Sequence, residues 1–323
     1  MSARARVYAI VATAAALAVT GTVTIAWLQA RGESTRQATA VTKPRPGLPP
    51  LTFTFGVRSD PEAVALAHAE TLLSKHETAA ALAVFDRYHS VQAQIGSAFA
   101  HWPGNGLETL KHIVATHPRS ATAQLHLGWA LLWAGRVNDA AKQFQRVDTQ
   151  FPDAAESVIA EDVLYRKLAP NLPYIFTGLA LPSAPTAALQ LRMLERAARA
   201  DVVAAKLRYG IALWSLRRRV SAERQFTAAA RLAPHDPVAQ TAAAIGTFTK
   251  RDPVRAFSRL GPLTAVFPKA AVVRLHLGVA LIWTGQLQKA AKQLRLAIAD
   301  EPGSRWARAA RQLLSALPKD GTK

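Results

Sequence analysis

The 323-residue chain contains no cysteine, so it has no disulfide, no thiolate metal site and no cysteine nucleophile. It also has few of the alternating β-branched runs that signal sheet. Long stretches are instead rich in alanine, leucine, arginine and glutamine, a composition that favours helix. The familiar catalytic signatures are missing as well: no glycine loop for phosphate, no Gly-x-Ser-x-Gly elbow, no His-Glu-x-x-His. Gly104-Asn105-Gly106 lacks the rest of any nucleotide fingerprint and falls where a turn between helices is due. His112 and His117 are five apart and do not share a helical position, so they make a poor metal pair. The expectation is a protein with no cofactor, no metal and no enzymatic activity.

What the chain does have begins with an apolar run. After the basic flank 1–6 comes "VYAIVATAAALAVTGTVTIAWLQA", residues 7–30, with no charged side chain. As a helix rising ~1.5 Å per residue, this run covers the ~30 Å hydrocarbon layer with some tilt. A secretory signal has a shorter apolar stretch, about 7–15 residues, followed by a small-x-small cleavage site. Thr24-Ile25-Ala26 lies inside the apolar run and Leu28-Gln29-Ala30 is a poor site, which favours an uncleaved single-pass anchor. Arg4 and Arg6 precede the span while Arg31, Arg36, Lys43 and Arg45 follow it, so flanking charge does not fix the orientation. The usual arrangement for an N-terminal anchor puts the large domain on the extracytoplasmic side.

Residues 31–61 form a polar, proline-rich linker that reads as a semi-extended tether. Within it, "KPRPGLPP" (43–50) has the composition of a spacer or of a polyproline ligand. "LTFTF" (51–55) alternates like a strand but has no partner, so it is expected to tuck onto the folded domain.

From residue 62 the chain repeats itself. "LHLGWALLWAG" at 125–135 returns as "LHLGVALIWTG" at 275–285, and "AAKQ" at 140–143 returns at 290–293. Pro118 and Pro152 are 34 apart, as are Pro234, Pro268 and Pro302; Ala222, Ala256 and Ala290 keep the same step. Each unit contains a small residue on one helix (Gly128, Gly210, Ala244 and Gly278), an alanine on the next and a large apolar residue one turn later. Small residues permit close helix approach, the large one fills the space beside it, and proline closes the pair.

This pattern, Leu127-Gly128-x-x-Leu131, Ala140-x-x-x-Phe144, Pro152, resembles the tetratricopeptide repeat (TPR), although the usual early tryptophan is replaced by Gln124, Lys206 and Arg274. The resemblance implies an all-α solenoid of about seven helix pairs over 62–317, preceded by the transmembrane helix and followed by a short tail, 318–323. Residues 62–120 supply two irregular pairs, around Ala81-x-x-x-Phe85 and Gly106-x-x-x-Leu110, and 155–202 supplies one pair carrying an insertion. A last helix, 304–317, puts Trp306, Ala310, Leu313 and Leu314 on one face and Arg308 and Arg311 on the other, as a cap requires.

In TPR proteins the first helix of each pair lines a binding groove. The resemblance places Leu125, Trp129 and Leu132, Leu207, Ile211 and Trp214, and Leu275, Val279 and Ile282 on that face. None is Lys, Arg or Asn, which speaks against a peptide-carboxylate clamp and for an apolar groove holding a helix or extended peptide. Alternatively, these residues pack on one another. The insertion near 169–185, "APNLPYIFTGLALPSAP", is too broken for helix and too apolar to stay in water; it either fills the groove or covers a gap. His126 and His276 recur at one repeat position, which suits packing or surface use better than metal ligation.

Charge is uneven. Residues 203–323 hold 21 basic against 6 acidic side chains, a net +15, whereas 62–202 carries a net −1. Arg217, Arg218 and Arg219 read as a basic patch in an exposed turn. The leading expectation is a membrane-tethered scaffold for a protein or peptide partner. The alternative is a polyanion- or anionic-surface-binding module acting through 203–323. Nucleic acid ranks below the other partners, because the tryptophans fall at packing positions rather than between basic residues.

Overall fold

The structure, a computed structural model, describes residues 43–318, so the anchor expected at 7–30 lies outside the described residues. Among the described residues there are fifteen α-helices and no strand, and no helix is long and apolar enough to cross a membrane. They fall into two compact units, one ending at Leu164 and one beginning at Tyr165.

The N-terminal unit opens with an extended segment, 43–57, followed by α1 (Pro61–Ser74), α2 (Thr78–Phe85), α3 (Val91–Ala100), α4 (Gly106–Thr116), α5 (Ala121–Trp133), α6 (Val137–Gln150) and α7 (Ala155–Leu164). The C-terminal unit also opens with an irregular segment, 165–186. It continues through α8 (Ala187–Ala198), α9 (Val203–Ser215), α10 (Arg219–Leu232), α11 (Pro237–Ile245), α12 (Val254–Val266), α13 (Ala271–Trp283), α14 (Leu287–Asp300) and α15 (Arg305–Ala316). Within each unit consecutive helices pack against one another.

The sequence reading treats 155–202 as one helix pair with an insertion. Instead, α7 packs on α6 and completes the first unit, while α8 packs on α9 and belongs to the second. The insertion is the opening segment of the second unit.

Local chemistry explains the boundaries. Ser90, Ser120, Thr186 and Ser304 accept a hydrogen bond from the backbone N–H three residues on, capping α3, α5, α8 and α15. Asp60 and Asp236 cap α1 and α11, each followed by a proline in the first helical turn. At the other end, the five prolines spaced by 34 each push the preceding residue out of the helical region. His117, Phe151, Ala233, Phe267 and Glu301 all have φ between −125° and −140° and positive ψ. Within hairpins, the turns need a left-handed residue, supplied by Gly135 (φ 77°) and Gly285 (φ 74°).

The glycine–alanine pattern does what the sequence reading assigned to it. A Cβ added to Gly128 lands 2.8 Å from the Phe144 ring, one on Gly210 lies 2.5 Å from Phe226, and one on Gly278 lies 2.9 Å from Leu294. Ala140, Ala222 and Ala290 are buried at the same contacts. A Cβ added to Gly246 would likewise lie 2.7 Å from the other edge of the Phe226 ring, so that ring is enclosed by glycines on both sides. Replacing Ala140, Ala222 or Ala290 by leucine is therefore expected to cost about 1–3 kcal/mol each in urea unfolding. Unchanged midpoints for all three would show that these helices are not in close contact.

The last helix behaves as a cap. Ala307 and Ala310 are buried, while Arg308 and Arg311 stay exposed and donate to the carbonyls of Gly303 and Pro302.

Candidate functional site

Both units bury the faces on which the groove residues were expected. Leu125, Leu132, Leu207, Trp214, Leu275, Val279 and Ile282 are buried, and Trp129 and Ile211 are half-buried. The grooves are not open: each unit lays its own extended segment against this face.

In the N-terminal unit the occupant is 43–57. Phe53 joins the same apolar cluster as Leu125 and Leu132, and Leu48, Leu51, Phe55, Trp129 and Trp133 pack against that cluster. The "LTFTF" tuck is thus present. Packing begins earlier than the linker reading expects, since Leu48 is half-buried and Pro49 is buried. Two backbone bonds fix the register: Arg45 N–H donates to the Trp133 carbonyl (2.8 Å) and Thr52 N–H donates to His126 Nε2 (3.2 Å). Thr54 and Thr122 hydroxyls both donate to the buried Glu156 carboxylate, and Phe53 N–H donates to Glu70.

In the C-terminal unit the occupant is the insertion. Ala169 N–H donates to the Trp283 carbonyl (3.0 Å) and Phe176 N–H donates to His276 Nε2 (2.9 Å). The spacing is identical: seven residues along the segment span seven along the helix, from Trp133 back to His126 and from Trp283 back to His276. The segments themselves match at an offset of 124. Lys43-x-x-Pro46-Gly47-Leu48-Pro49 corresponds to Lys167-x-x-Pro170-Asn171-Leu172-Pro173. Gly47 (φ 78°) and Asn171 (φ 62°) share the left-handed conformation, and Pro49 and Pro173 are both buried. This duplication is legible in the sequence at an offset of 124 and invisible at the offset of 150 that relates the helices. We call the two segments straps.

The recurrent histidines are the keystones. His126 Nδ1 lies 2.7 Å from the Thr122 carbonyl, and His276 Nδ1 lies 2.7 Å from the Val272 carbonyl. A nitrogen facing a carbonyl must carry the proton, so Nε2 is left with a lone pair for the strap N–H. Burial away from water holds both rings neutral and lowers each pKa to about 4, against an opposing pull from those carbonyls.

The second strap is bound more heavily. Trp214 Nε1 donates to the Pro173 carbonyl (2.8 Å), Trp283 Nε1 donates to Asn171 (3.3 Å), and Arg208 donates to Ala180 (2.9 Å). Arg305 donates to the Gly178 carbonyl and Arg217 to the Asn171 side chain. This corrects the basic-patch expectation. Arg217 is half-buried on the strap, Arg219 is buried, and of the three only Arg218 is exposed. Arg217 also has φ 59° where the matching turns have Gly135 and Gly285, a strained conformation that its bond to Asn171 helps to hold. By contrast, Trp129 Nε1 and Trp133 Nε1 in the first unit are buried with no hydrogen-bond partner.

Away from the straps, a cleft of about 280 Å³ in the N-terminal unit is lined by Leu127 and Leu131, by Lys111, Lys142, Arg146 and Gln143, and by Arg136 paired with Asp139. Among the described residues no group of three or more His, Asp or Glu side chains is placed to hold a metal ion.

Residues 122–154 and 248–313 each match a family model described as tetratricopeptide repeat. No curated protein matches the chain. Among solved structures, a tetratricopeptide repeat protein from Parabacteroides merdae is 12% identical, with 79% of this chain and 98% of that one covered and a TM-score of 0.33. YrrB, described as a TPR protein with an unusual peptide-binding site, is 17% identical over 64% of this chain and 99% of its own, with a TM-score of 0.30. The TPR2AB domain of yeast Sti1, in complex with pHSP90, is 14% identical over 79% of this chain and 97% of its own, also with a TM-score of 0.30.

Proposed function

We propose that this tetratricopeptide-repeat protein is a membrane-tethered, non-enzymatic scaffold that binds a protein or peptide partner. One observation carries the proposal. Both apolar helix faces already hold an extended segment by backbone N–H groups and apolar side chains, which is how a groove holds a peptide. The N-terminal cleft lined by Leu127, Leu131 and Lys142 is a surface the straps leave free for a partner.

The tether in this proposal is the uncharged run 7–30, with the large domain on the extracytoplasmic side. The alternative, a polyanion site in 203–323, loses some of its basic residues to internal work. Arg208, Arg217 and Arg305 hold the strap, Arg219 is buried, and Arg255 pairs with Glu223 at 2.7 Å.

Fractionation and capture test the proposal together. The full-length chain should stay in the membrane pellet through high salt and alkaline washing, and a chain beginning at Lys43 should be soluble. Beginning at residue 51 would instead remove Arg45, Leu48 and Pro49 from the first strap. Recovery of a mature chain starting near residue 27 or 31 would overturn the anchor. Crosslinking from Lys142 in membranes should yield a protein partner whose capture changes little with salt. Capture that collapses steeply as salt rises would favour the polyanion reading.

A further inference from the structure

We infer that the α5 face of the N-terminal unit is a binding site for a proline-flanked extended segment of the pattern Pro-(Gly/Asn)-Leu-Pro, and that its exchangeable occupant is the 43–57 strap of a second copy of this chain. The inference rests on reading α5 as a peptide-binding face and does not rest on the membrane anchor.

The pattern is established by duplication within one molecule. Two grooves, each built on a helix carrying Leu-His-Leu-Gly and ending in tryptophan, hold two segments that share Lys-x-x-Pro-(Gly/Asn)-Leu-Pro in the same register. Two grooves of one design each accept this pattern in cis, and every other copy of the chain carries it. Backbone bonds at both ends set the position, the left-handed Gly47 or Asn171 turns the segment, and the leucine and second proline fill the apolar face.

The two straps differ in how firmly they are held. Strap 167–181 is gripped by side-chain donors from Arg208, Trp214, Arg217, Trp283 and Arg305. Strap 43–57 lacks the two indole bonds, and Trp129 and Trp133 leave their buried N–H groups without an acceptor. An unsatisfied buried donor weakens the closed state relative to opening. The link from this strap to α1 is short: Gly56 at φ 59° is exposed, and Arg58 pairs with Asp60 and Glu62 at the surface. A short hinge at the end of an intramolecular ligand is the geometry from which identical copies exchange elements.

The absence of cysteine makes the test clean, because a single introduced thiol labels one position. One population of the whole chain carries a donor dye at Lys43→Cys, and another an acceptor at Lys142→Cys; both positions are exposed. On mixing, energy transfer should rise over time and with concentration. Unlabelled synthetic peptide 43–57 should suppress it, while the same peptide with Leu48→Asp and Phe53→Asp should not. In a companion sample, a specific protease site inserted after Gly56 frees the strap, and labelled peptide 43–57 should then co-elute with the cut protein. If cutting unfolds the N-terminal unit, the peptide must restore its helical signal. Absence of both energy transfer and peptide uptake, or failure of the peptide to restore the cut unit, overturns the inference. Uptake of peptide without transfer between copies retains the groove specificity but rejects the second copy as occupant. Either failure leaves membrane retention and partner capture unaltered, so it is distinguishable from failure of the proposed function.

Discussion

Acidification from pH 7 to pH 4 should remove about 3 kcal/mol of stability for each of the two buried histidines, measured as falling urea midpoints. The unfolded chain protonates its histidines near the ordinary imidazole value of 6.5, whereas His126 and His276 in the folded units hold out to about pH 4. Between those values the unfolded state binds more protons, so stability falls as pH falls. The full contribution is present above about pH 6.5, and the slope approaches about 1.4 kcal/mol per pH unit per histidine in the window below it. Protonation would also convert Nε2 into a donor pointed at the Thr52 or Phe176 N–H, so the straps should loosen first. His126→Gln or His276→Gln should flatten the slope of the unit that carries it. A profile without slope between pH 6.5 and 4 would mean that the rings are not held neutral.

Trp214→Ala should destabilise the C-terminal unit by about 3–5 kcal/mol, the cost of emptying a large aromatic site. Trp214 is 7% exposed, meets Phe226 edge-on at 6.3 Å, and bonds the Pro173 carbonyl through its indole. Trp214→Phe keeps most of the ring and loses that bond, so about 1–2 kcal/mol should go. Trp129 supplies the contrast. Its ring packs edge-on against Phe144 at 5.3 Å, but its buried N–H has no partner. Trp129→Phe should therefore be neutral or slightly stabilising, while Trp129→Ala remains costly. If Trp214→Ala left the unfolding midpoint unmoved and only reduced partner capture, the ring would face a partner rather than the strap.

The helix pairs were readable because their signals are periodic and local. Prolines every 34 residues, and the Gly128–Phe144 and Gly210–Phe226 complementarity, are statements about neighbours. The straps were not, because an extended segment has no helical period and its partners lie far away in sequence. Thr52 meets a histidine 74 residues later and Phe176 meets one 100 residues later. Helices repeat at an offset of 150 and straps at 124, so one register conceals the other; the second unit has five helices between strap and histidine where the first has four. Proline richness in 43–50 pointed to a spacer, yet Pro49 is buried. Arg217 was readable in principle. It stands 82 residues after Gly135 and 68 before Gly285, in register with both, and a run of arginines drew attention to charge instead.

The distance between a strap and its histidine also sets an order in time. A ribosome adds roughly 5–20 residues per second, and chains fold from the N-terminus as they emerge. Phe176 must therefore wait about 5–20 s for the His276 residue that will accept its N–H, because 100 residues separate them. During that interval the growing chain has hairpins formed and an apolar ribbon with nothing to lie on. Most helical repeats avoid such a wait, because each unit needs only its neighbour. Here nascent chains carry an unsatisfied Leu-Pro ribbon through much of their synthesis, and crowded translation on one message brings many such ribbons together before their own grooves exist.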